Sequence, residues 1–171
     1  MKCRNCKKKK FTLISKIGKQ PISSIFLKKK KYIKNYSLDL FQCKFCDLVQ
    51  LSKIPSLKDM YGPQYGYKTS VSGLMVNHLK KKFNWIKRLK ILKKKPNVLD
   101  IGSNDGTFLN FFTKYDKRIN LIGMDPSANA FSGSYNKKIK VVVDFFKNQS
   151  VRKYLKDTKF SVITSFAMFY D

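Results

Sequence analysis

Four cysteines form two C-x-x-C pairs near the start of the chain. Cys3 and Cys6 make the first pair, Cys43 and Cys46 make the second, and 36 residues separate the pairs. A C-x-x-C turn brings two thiolates to one side of a tight loop, and two such turns supply the four sulfur ligands that tetrahedral zinc prefers. Four protein ligands leave no coordination position for a substrate. The spacing therefore predicts a structural Zn²⁺ centre that stabilises the fold.

Two other uses of these cysteines compete with zinc. Two disulfides require an oxidising compartment, and a redox-active pair requires one C-x-x-C motif that opens a helix after a strand. No apolar signal segment follows Met1, and no run of about 18 apolar residues is present, so we expect a cytoplasmic protein and favour zinc. The long interval predicts a hairpin or small subdomain over residues 11–40.

Acidic residues recur at the ends of predicted strands in the C-terminal half. The predicted strands are residues 97–101, 119–124, 139–143 and 160–164. Asp100, Asp125 and Asp144 lie at the ends of the first three strands, and Ser165 follows the fourth. Strands that alternate with helical segments are typical of an α/β fold with a parallel sheet, which binds ligands at the carboxyl ends of its strands.

A glycine turn follows the first of these strands. Gly102 permits a tight turn, and Gly106 allows the next helix to pack close to the strand and to a ligand, so that a cofactor can lie against backbone N–H groups. The turn has neither the G-x-G-x-x-G spacing of a dinucleotide site nor a P-loop. An adenosine ligand without a pyrophosphate fits better, with Asp125 placed to bind the ribose.

Residues 60–70 form a turn-rich passage with Tyr65 and Tyr67. These tyrosines either cover the core of the zinc module or face a substrate. Apolar residues at helical spacing then predict one amphipathic helix from Ser72 to about Lys94, before Pro96. His78, the single histidine, lies on the first turns of this helix, where a surface or packing role is the simpler interpretation.

The chain has 171 residues, with 37 Lys and Arg against 10 Asp and no Glu. This balance suggests nucleic acid or an anionic membrane surface as a partner. However, 33 of the 37 basic residues are Lys in short scattered runs, whereas base-specific contacts rely on Arg. We interpret most of the charge as solvated surface, which still favours an acidic substrate such as a nucleotide-linked one. A nucleic-acid partner or a membrane is not expected.

These observations together predict the domain organisation. We expect a small four-cysteine zinc-binding domain over residues 1–70, a linking helix over 71–95, and an α/β nucleotide-binding domain over 96–171.

Several motifs, in this order, resemble a known family. They are Cys3-x-x-Cys6, Cys43-x-x-Cys46-Asp-Leu-Val-Gln-Leu, Tyr65-Gly-Tyr67, Gly102-Ser-Asn-Asp-Gly106 and Gly-Met-Asp125-Pro126-Ser. The chain resembles the class I S-adenosylmethionine-dependent methyltransferases, and more narrowly the sugar C-methyltransferases with an N-terminal zinc-binding domain. The resemblance implies a Rossmann-like sheet, S-adenosyl-L-methionine and structural Zn²⁺ as cofactors, and a nucleotide-linked keto-deoxysugar as substrate.

The resemblance also implies roles for individual residues. Asp100, Gly102 and Gly106 would cradle the methionine part of the cofactor, Asp125 would bind the ribose, and Asp144 with Phe145 would contact adenine. The full set of expected cofactor-binding residues is Asp100, Gly102, Ser103, Asn104, Gly106, Asp125, Pro126, Asp144, Phe145 and Ser165. The candidate catalytic residues are Tyr67, Tyr170 and His78.

The chain departs from this family in two respects. Relatives have a seven-stranded sheet and a further C-terminal domain, so we expect this sequence to be an N-terminal part with an incomplete sheet, inactive alone, and with its catalytic base beyond residue 171. Tyr170 stands near the place where many relatives have a histidine. Two alternatives remain open: a zinc-ribbon nucleic-acid-binding module with a degenerate α/β domain, and O- or N-methylation by the same fold.

Overall fold

A computed structural model describes residues 1–23, 25–27, 29–62 and 64–168. The chain divides into two compact units, Met1–Tyr65 and Gly66–Asp171. The strands are β1 Phe11–Ser15, β2 Lys19–Pro21, β3 Asn35–Ser37, β4 Leu40–Cys43, β5 Val49–Leu51, β6 Asn97–Ile101, β7 Asn120–Met124, β8 Ile139–Val142 and β9 Val162–Ser165. The α-helices are α1 Leu57–Met60, α2 Gly73–Arg88, α3 Thr107–Thr113 and α4 Asn148–Tyr154. In the described ranges, no helix combines the length and the apolar composition that crossing a membrane requires.

The first unit consists of short antiparallel strands around the cysteine pairs. Strands β1, β4 and β5 form one sheet in that order, and β2 pairs with β3. Phe11 lies opposite Cys43 in this sheet, so β1 directly supports the second cysteine pair. The expected subdomain between the two pairs is therefore present.

The second unit contains a parallel sheet in the order β8-β7-β6-β9. Because β7 and β9 extend the sheet in opposite directions from β6, the chain leaves the carboxyl end of β6 at a topological switch point, where open α/β sheets bind ligands. This arrangement confirms the α/β fold class. It also brings the carboxyl ends of all four strands to one edge.

Apolar side chains cover both faces of this sheet. Val98 lies beside Leu121 and Val162 in the register, and these side chains pack with Phe83 of α2 and Phe112 of α3. The side chains that alternate with these along the strands point to the opposite face of the sheet. On that face, Leu99, Ile122 and Met124 pack with Leu155, just after α4. The unit thus has three layers, in which helices bury both faces of a parallel sheet.

Helix α2 begins where the sequence predicts and ends earlier. The Ser72 side chain accepts a hydrogen bond from the Met75 amide, which is the expected N-cap. Leu79, Phe83 and Ile86 form its buried face. The predicted end near Lys94 is wrong, because Lys90 adopts a left-handed φ of 53° and stops the helix after Arg88.

The strand boundaries differ from expectation by one or two residues. Strand β7 begins at residue 120, β8 ends at residue 142, and β9 covers 162–165. The last difference places Ser165 inside the strand, where it lies opposite Ile101.

Replacing Lys90 by glycine should stabilise the second unit by about 0.5–1 kcal/mol, because glycine adopts a left-handed helix C-terminus without steric cost. Lys82→Gly, at an exposed position inside α2, is the matched control and should lower stability by about 1 kcal/mol. Urea unfolding followed by the fluorescence of Trp85, the single tryptophan, measures both changes. Destabilisation of equal size by the two substitutions would contradict this account of the helix end.

Candidate functional site

The two C-x-x-C pairs form loops of the same backbone geometry. In the first, the Lys7 amide donates to the Cys3 carbonyl at 3.1 Å, and in the second the Asp47 amide donates to the Cys43 carbonyl at 3.0 Å. Lys7 and Asp47 both adopt left-handed φ angles, 64° and 57°. Each loop therefore reverses the chain directly after its second cysteine. Because Asp47 makes this reversal, β5 begins only at Val49.

The four sulfur atoms converge. The Sγ atoms of Cys3 and Cys46 are 3.5 Å apart, those of Cys6 and Cys43 are also 3.5 Å apart, and all four lie within 4.8 Å of one another. The cysteines are free, so the alternative of two disulfides is not formed. A tetrahedral Zn²⁺ with Zn–S bonds of about 2.3 Å requires sulfur separations of roughly 3.8 Å. The cluster fits zinc.

The electrostatics of the cluster favour a cation. The Leu48 amide lowers the pKa of Cys46. Against the lowering effect of the Lys8 amide, burial and the three neighbouring thiols raise the pKa of Cys6. The neighbouring thiols thus oppose ionisation of Cys6 and assist that of Cys46, and a divalent cation at the centre would favour the thiolate form.

Gln50 supports the cluster, and the sequence did not single it out for this role. Its buried side-chain amide accepts from the Arg4 amide at 2.9 Å and donates to the Lys2 carbonyl at 3.2 Å, on either side of Cys3. The hydrogen bonds connect β5 to the first cysteine loop. A polar residue at a buried strand position was the only signal.

In the second unit, every second residue of the turn after β6 has a left-handed φ angle. Gly102, Asn104 and Gly106 have φ angles of 72°, 50° and 75°. A Cβ atom on Gly106 would lie 2.5 Å from the ring of Tyr135, so glycine is required there for packing as well as conformation. The amides of these three residues donate to Met124, Asp125 and Ser103. The expectation that a cofactor lies against free N–H groups therefore does not apply to these three amides.

Asp100 is a buried carboxyl directly before this turn. Its side chain is 2% exposed and accepts a hydrogen bond of 2.7 Å from the Thr164 hydroxyl of β9. Burial raises the pKa of Asp100 to about 7, the Thr164 hydrogen bond works against this, and the charge of Asp125 adds to it. A cationic ligand would favour the ionised carboxylate and relieve the cost of its burial.

Asp125 lies at the end of β7 and is also buried. Its Oδ2 accepts from the Asn104 amide at 2.8 Å, and its Oδ1 accepts from the amide and hydroxyl of Ser127 at 2.7 and 2.5 Å. Pro126 between them is half-buried. Asp125 therefore closes the turn at the end of β7 and fixes the glycine turn, and its oxygens retain lone pairs for further donors.

The remaining predicted cofactor residues lie at the same carboxyl edge of the sheet. The Ser165 hydroxyl is buried without a hydrogen-bond partner among the described residues, which makes it available to a ligand. The Ser150 hydroxyl, at 2.6 Å, is the main cause of a lowered pKa at Asp144, which also accepts from the amide of half-buried Phe145. Ser103 is buried, and its hydroxyl contacts Tyr135 at 2.8 Å.

The three candidate catalytic residues are placed differently. The Tyr67 carbonyl accepts a 2.9 Å hydrogen bond from the Asn104 side chain, and its own side chain is 43% exposed, so Tyr67 lies beside the glycine turn. His78 is exposed on α2. Tyr170 lies outside the described residues.

Two family models match the chain. Residues 3–61 match a family described as a zinc binding domain, and residues 77–171, more than half of the chain, match a family described as a methyltransferase domain. The chain belongs to the methyltransferase domain family. A search of curated proteins gives no match.

A methyltransferase domain implies S-adenosylmethionine as methyl donor and a small molecule as acceptor. The residues at the glycine turn fit this cofactor in two respects. A neighbouring positive charge would offset the burial that raises the pKa of Asp100, and the Ser165 hydroxyl, which has no hydrogen-bond partner among the described residues, lies at the same edge of the sheet. The methyltransferase thus combines a four-cysteine metal centre with a domain for methyl transfer.

Sequence reasoning missed several residues whose hydrogen bonds stabilise the glycine turn and its surroundings. They are Thr69, Ser70, Asp105, Ser127 and Tyr135, and each hydrogen-bonds the turn, the end of β7 or the segment before α2. Asp105 shows the effect most clearly: burial opposes ionisation, but hydrogen bonds from Thr107 and Ser70 outweigh it and lower the pKa. Most of these contacts join residues more than 20 positions apart, so no local pattern predicts them.

Cys43→Ser should remove stoichiometric zinc, because three thiolates and a hydroxyl no longer complete the tetrahedral set. Lys44→Ser, at an exposed position of the same loop, is the control and should retain one zinc per chain. Metal analysis of both purified proteins by mass spectrometry measures the change. Full zinc content in the Cys43 variant would disprove the four-sulfur centre.

Asp100→Asn should change how stability depends on pH. Folded Asp100 keeps its proton up to about pH 7, whereas the unfolded carboxyl loses it near its ordinary pKa of 3.8. The folded state therefore binds more protons between these values, and the free energy of unfolding falls as pH rises through this window. The asparagine variant should escape this loss and be more stable than wild type at pH 8, by on the order of 1–4 kcal/mol.

Asp105→Asn is the control of opposite sign. Because the pKa of Asp105 is lowered, its ionised form stabilises the fold above about pH 4, and this variant should be less stable than wild type at pH 8. Urea unfolding at pH 5 and pH 8 measures both variants. Parallel pH profiles for wild type and Asp100→Asn would show that Asp100 is not protonated near neutral pH.

Proposed function

We propose that this methyltransferase transfers a methyl group from S-adenosylmethionine to a carbon atom of a nucleotide-linked keto-deoxysugar. The observation that carries the proposal is the hydrogen bond from Asn104 to the Tyr67 carbonyl, which holds an exposed phenol beside the turn proposed to bind the cofactor. The order of the cysteine pairs, the Tyr-Gly-Tyr passage and the glycine turn, which resembles sugar C-methyltransferases, supports the same acceptor. The formal net charge of +27 favours an anionic substrate.

The proposed cofactor contacts follow the carboxyl edge of the sheet. Asp100, Gly102, Ser103, Asn104 and Gly106 would surround the methionine part, and Ser165 would offer its hydroxyl there. Asp125 with Pro126 would bind the ribose, and Asp144 with Phe145 would contact adenine. When bound, S-adenosylmethionine supplies a methyl group on a positively charged sulfur. An ionised Asp100 would balance that charge.

Methylation of a carbon beside a ketone requires two functional groups from the protein. A base must remove the proton on that carbon, and a donor must stabilise the negative charge that develops on the ketone oxygen. We propose the Tyr67 hydroxyl as this donor. His78 and Tyr170 remain candidates for catalytic roles by sequence position alone.

The test is methyl transfer by the full-length protein, from S-adenosylmethionine labelled with carbon-13 in its methyl group to a nucleoside-diphosphate keto-deoxysugar. Carbon NMR of the product should show a methyl group bonded to carbon. Tyr67→Phe keeps the ring and the carbonyl that Asn104 contacts, and it should lower kcat by about 10²–10³-fold, as removal of one oxyanion donor does. The change in KM should be smaller.

Tyr115→Phe removes the hydroxyl of another exposed tyrosine in the same unit and should leave kcat unchanged. A label found on oxygen or nitrogen would contradict carbon methylation and leave methyl transfer intact. Equal kcat values for Tyr67→Phe and wild type would remove the Tyr67 hydroxyl from the mechanism.

A further inference from the structure

Asn104, at the centre of the glycine turn, forms hydrogen bonds within the protein through both its backbone and its side chain. Its backbone amide donates to Asp125 at 2.8 Å, and its carbonyl accepts from the Tyr135 hydroxyl at 2.7 Å. Its side-chain oxygen accepts from the amide and the hydroxyl of Thr69 at 2.9 and 3.1 Å, and its side-chain nitrogen donates to the Tyr67 carbonyl at 2.9 Å. The residue is 8% exposed.

The side-chain amide therefore binds the backbone on both sides of Lys68. The Ser70 amide donates a further hydrogen bond of 2.9 Å to the Oδ2 atom of the neighbouring Asp105. Two consecutive residues of the turn thus hold residues 67–71, which lead directly into α2. We call residues 67–71 the clasped segment.

The backbone of Asn104 and its side chain contact different parts of the unit. The backbone is fixed by Asp125 at the end of β7 and by Tyr135, whereas the side chain hydrogen-bonds Tyr67 and Thr69. A left-handed φ explains why asparagine is tolerated here, but glycine would satisfy that conformation at least as well. The conformation alone therefore does not account for a side-chain amide whose oxygen and nitrogen both form hydrogen bonds within the protein.

We propose that the Asn104 side chain is a positioning residue that couples cofactor binding at the glycine turn to the ordering of the clasped segment. The proposal rests on the proposed function, because it takes the turn to be the cofactor site. A ligand that restricts the turn also restricts the amide that holds Tyr67 and Thr69. By linkage, an ordered segment must favour ligand binding by the same factor.

The coupling has a consequence for methyl transfer. Cofactor binding restricts Tyr67 further beside the turn, so the phenol proposed to contact the acceptor is held more firmly in the loaded enzyme. Acceptor binding is then favoured when the cofactor is bound.

Amide hydrogen exchange of Thr69, measured by NMR, tests the coupling with S-adenosylhomocysteine as the probe. In wild type, saturation with this probe should slow Thr69 exchange about fivefold or more, the lower end of usual coupling between sites. Asn104→Gly keeps the left-handed turn and both backbone hydrogen bonds and removes only the side-chain amide. Its Thr69 exchange should be about tenfold faster without probe, and the probe should no longer change it.

Asn110→Ala is the matched control. The Asn110 side chain also binds backbone in this unit, at the Ser134 carbonyl and the Asn136 amide, but does not contact the clasped segment. This variant should show the wild-type response of Thr69. Asn104→Asp keeps the acceptor for Thr69 and replaces the donor to Tyr67 with an oxygen, so its response should be intermediate.

The possible outcomes separate the two proposals. Probe binding, seen as saturable chemical shift changes at the turn, without slower Thr69 exchange in wild type would overturn the coupling and leave the cofactor site intact. A wild-type response in Asn104→Gly would do the same. If the probe does not bind to wild type, the cofactor site and the coupling both fail.

Discussion

The left-handed turn between β6 and α3 is the constraint on which the second unit depends. Three alternate residues with positive φ, at 102, 104 and 106, take the chain from the centre of a parallel sheet into a helix within five residues. Such a path is possible only for glycine and asparagine at little cost, and it requires support from outside. Asp125, at the end of β7, accepts a hydrogen bond from the Asn104 amide, and Tyr135, whose ring lies beside Gly106, donates one to the Asn104 carbonyl. The Asn104 side chain in turn hydrogen-bonds Thr69 within residues 67–71.

The zinc centre also requires irregular loops to be held in place, and different interactions hold them. Among the described residues of the first unit, no buried helix or parallel strand supports its two loops. The two loops share the left-handed residue that follows each cysteine pair, Lys7 and Asp47. Short antiparallel strands and the Gln50 amide hold the loops near each other, and the metal supplies the remaining stability. The second unit instead has an acid with a raised pKa, Asp100, and the Ser165 hydroxyl, which is unpaired within the part of the chain that the structure describes, and a ligand can use both groups.

The sequence predicted the features that depend on local pattern. The strand over 97–101, the cap at Ser72 and the cysteine cluster follow from apolar periodicity, capping chemistry and spacing. The predicted end of α2 was wrong because Lys90 adopts a left-handed conformation that is usual for glycine. The partners of Asp100 and Asn104 could not be predicted, since Thr164 and Thr69 lie far away in sequence and only the register of the sheet and the path before α2 bring them close.

The measurement that tests the cofactor site most directly is NMR chemical shift mapping during titration of the wild-type protein with S-adenosylmethionine. We expect saturable shifts concentrated at the amides of residues 100–106, 125, 127 and 165, with no change in the four-cysteine loops. Absence of saturable shifts would contradict this expectation. So would shifts confined to the cavity lined by Asn84, Lys87, Arg88 and Tyr115, because binding there would reflect the basic surface and not the glycine turn.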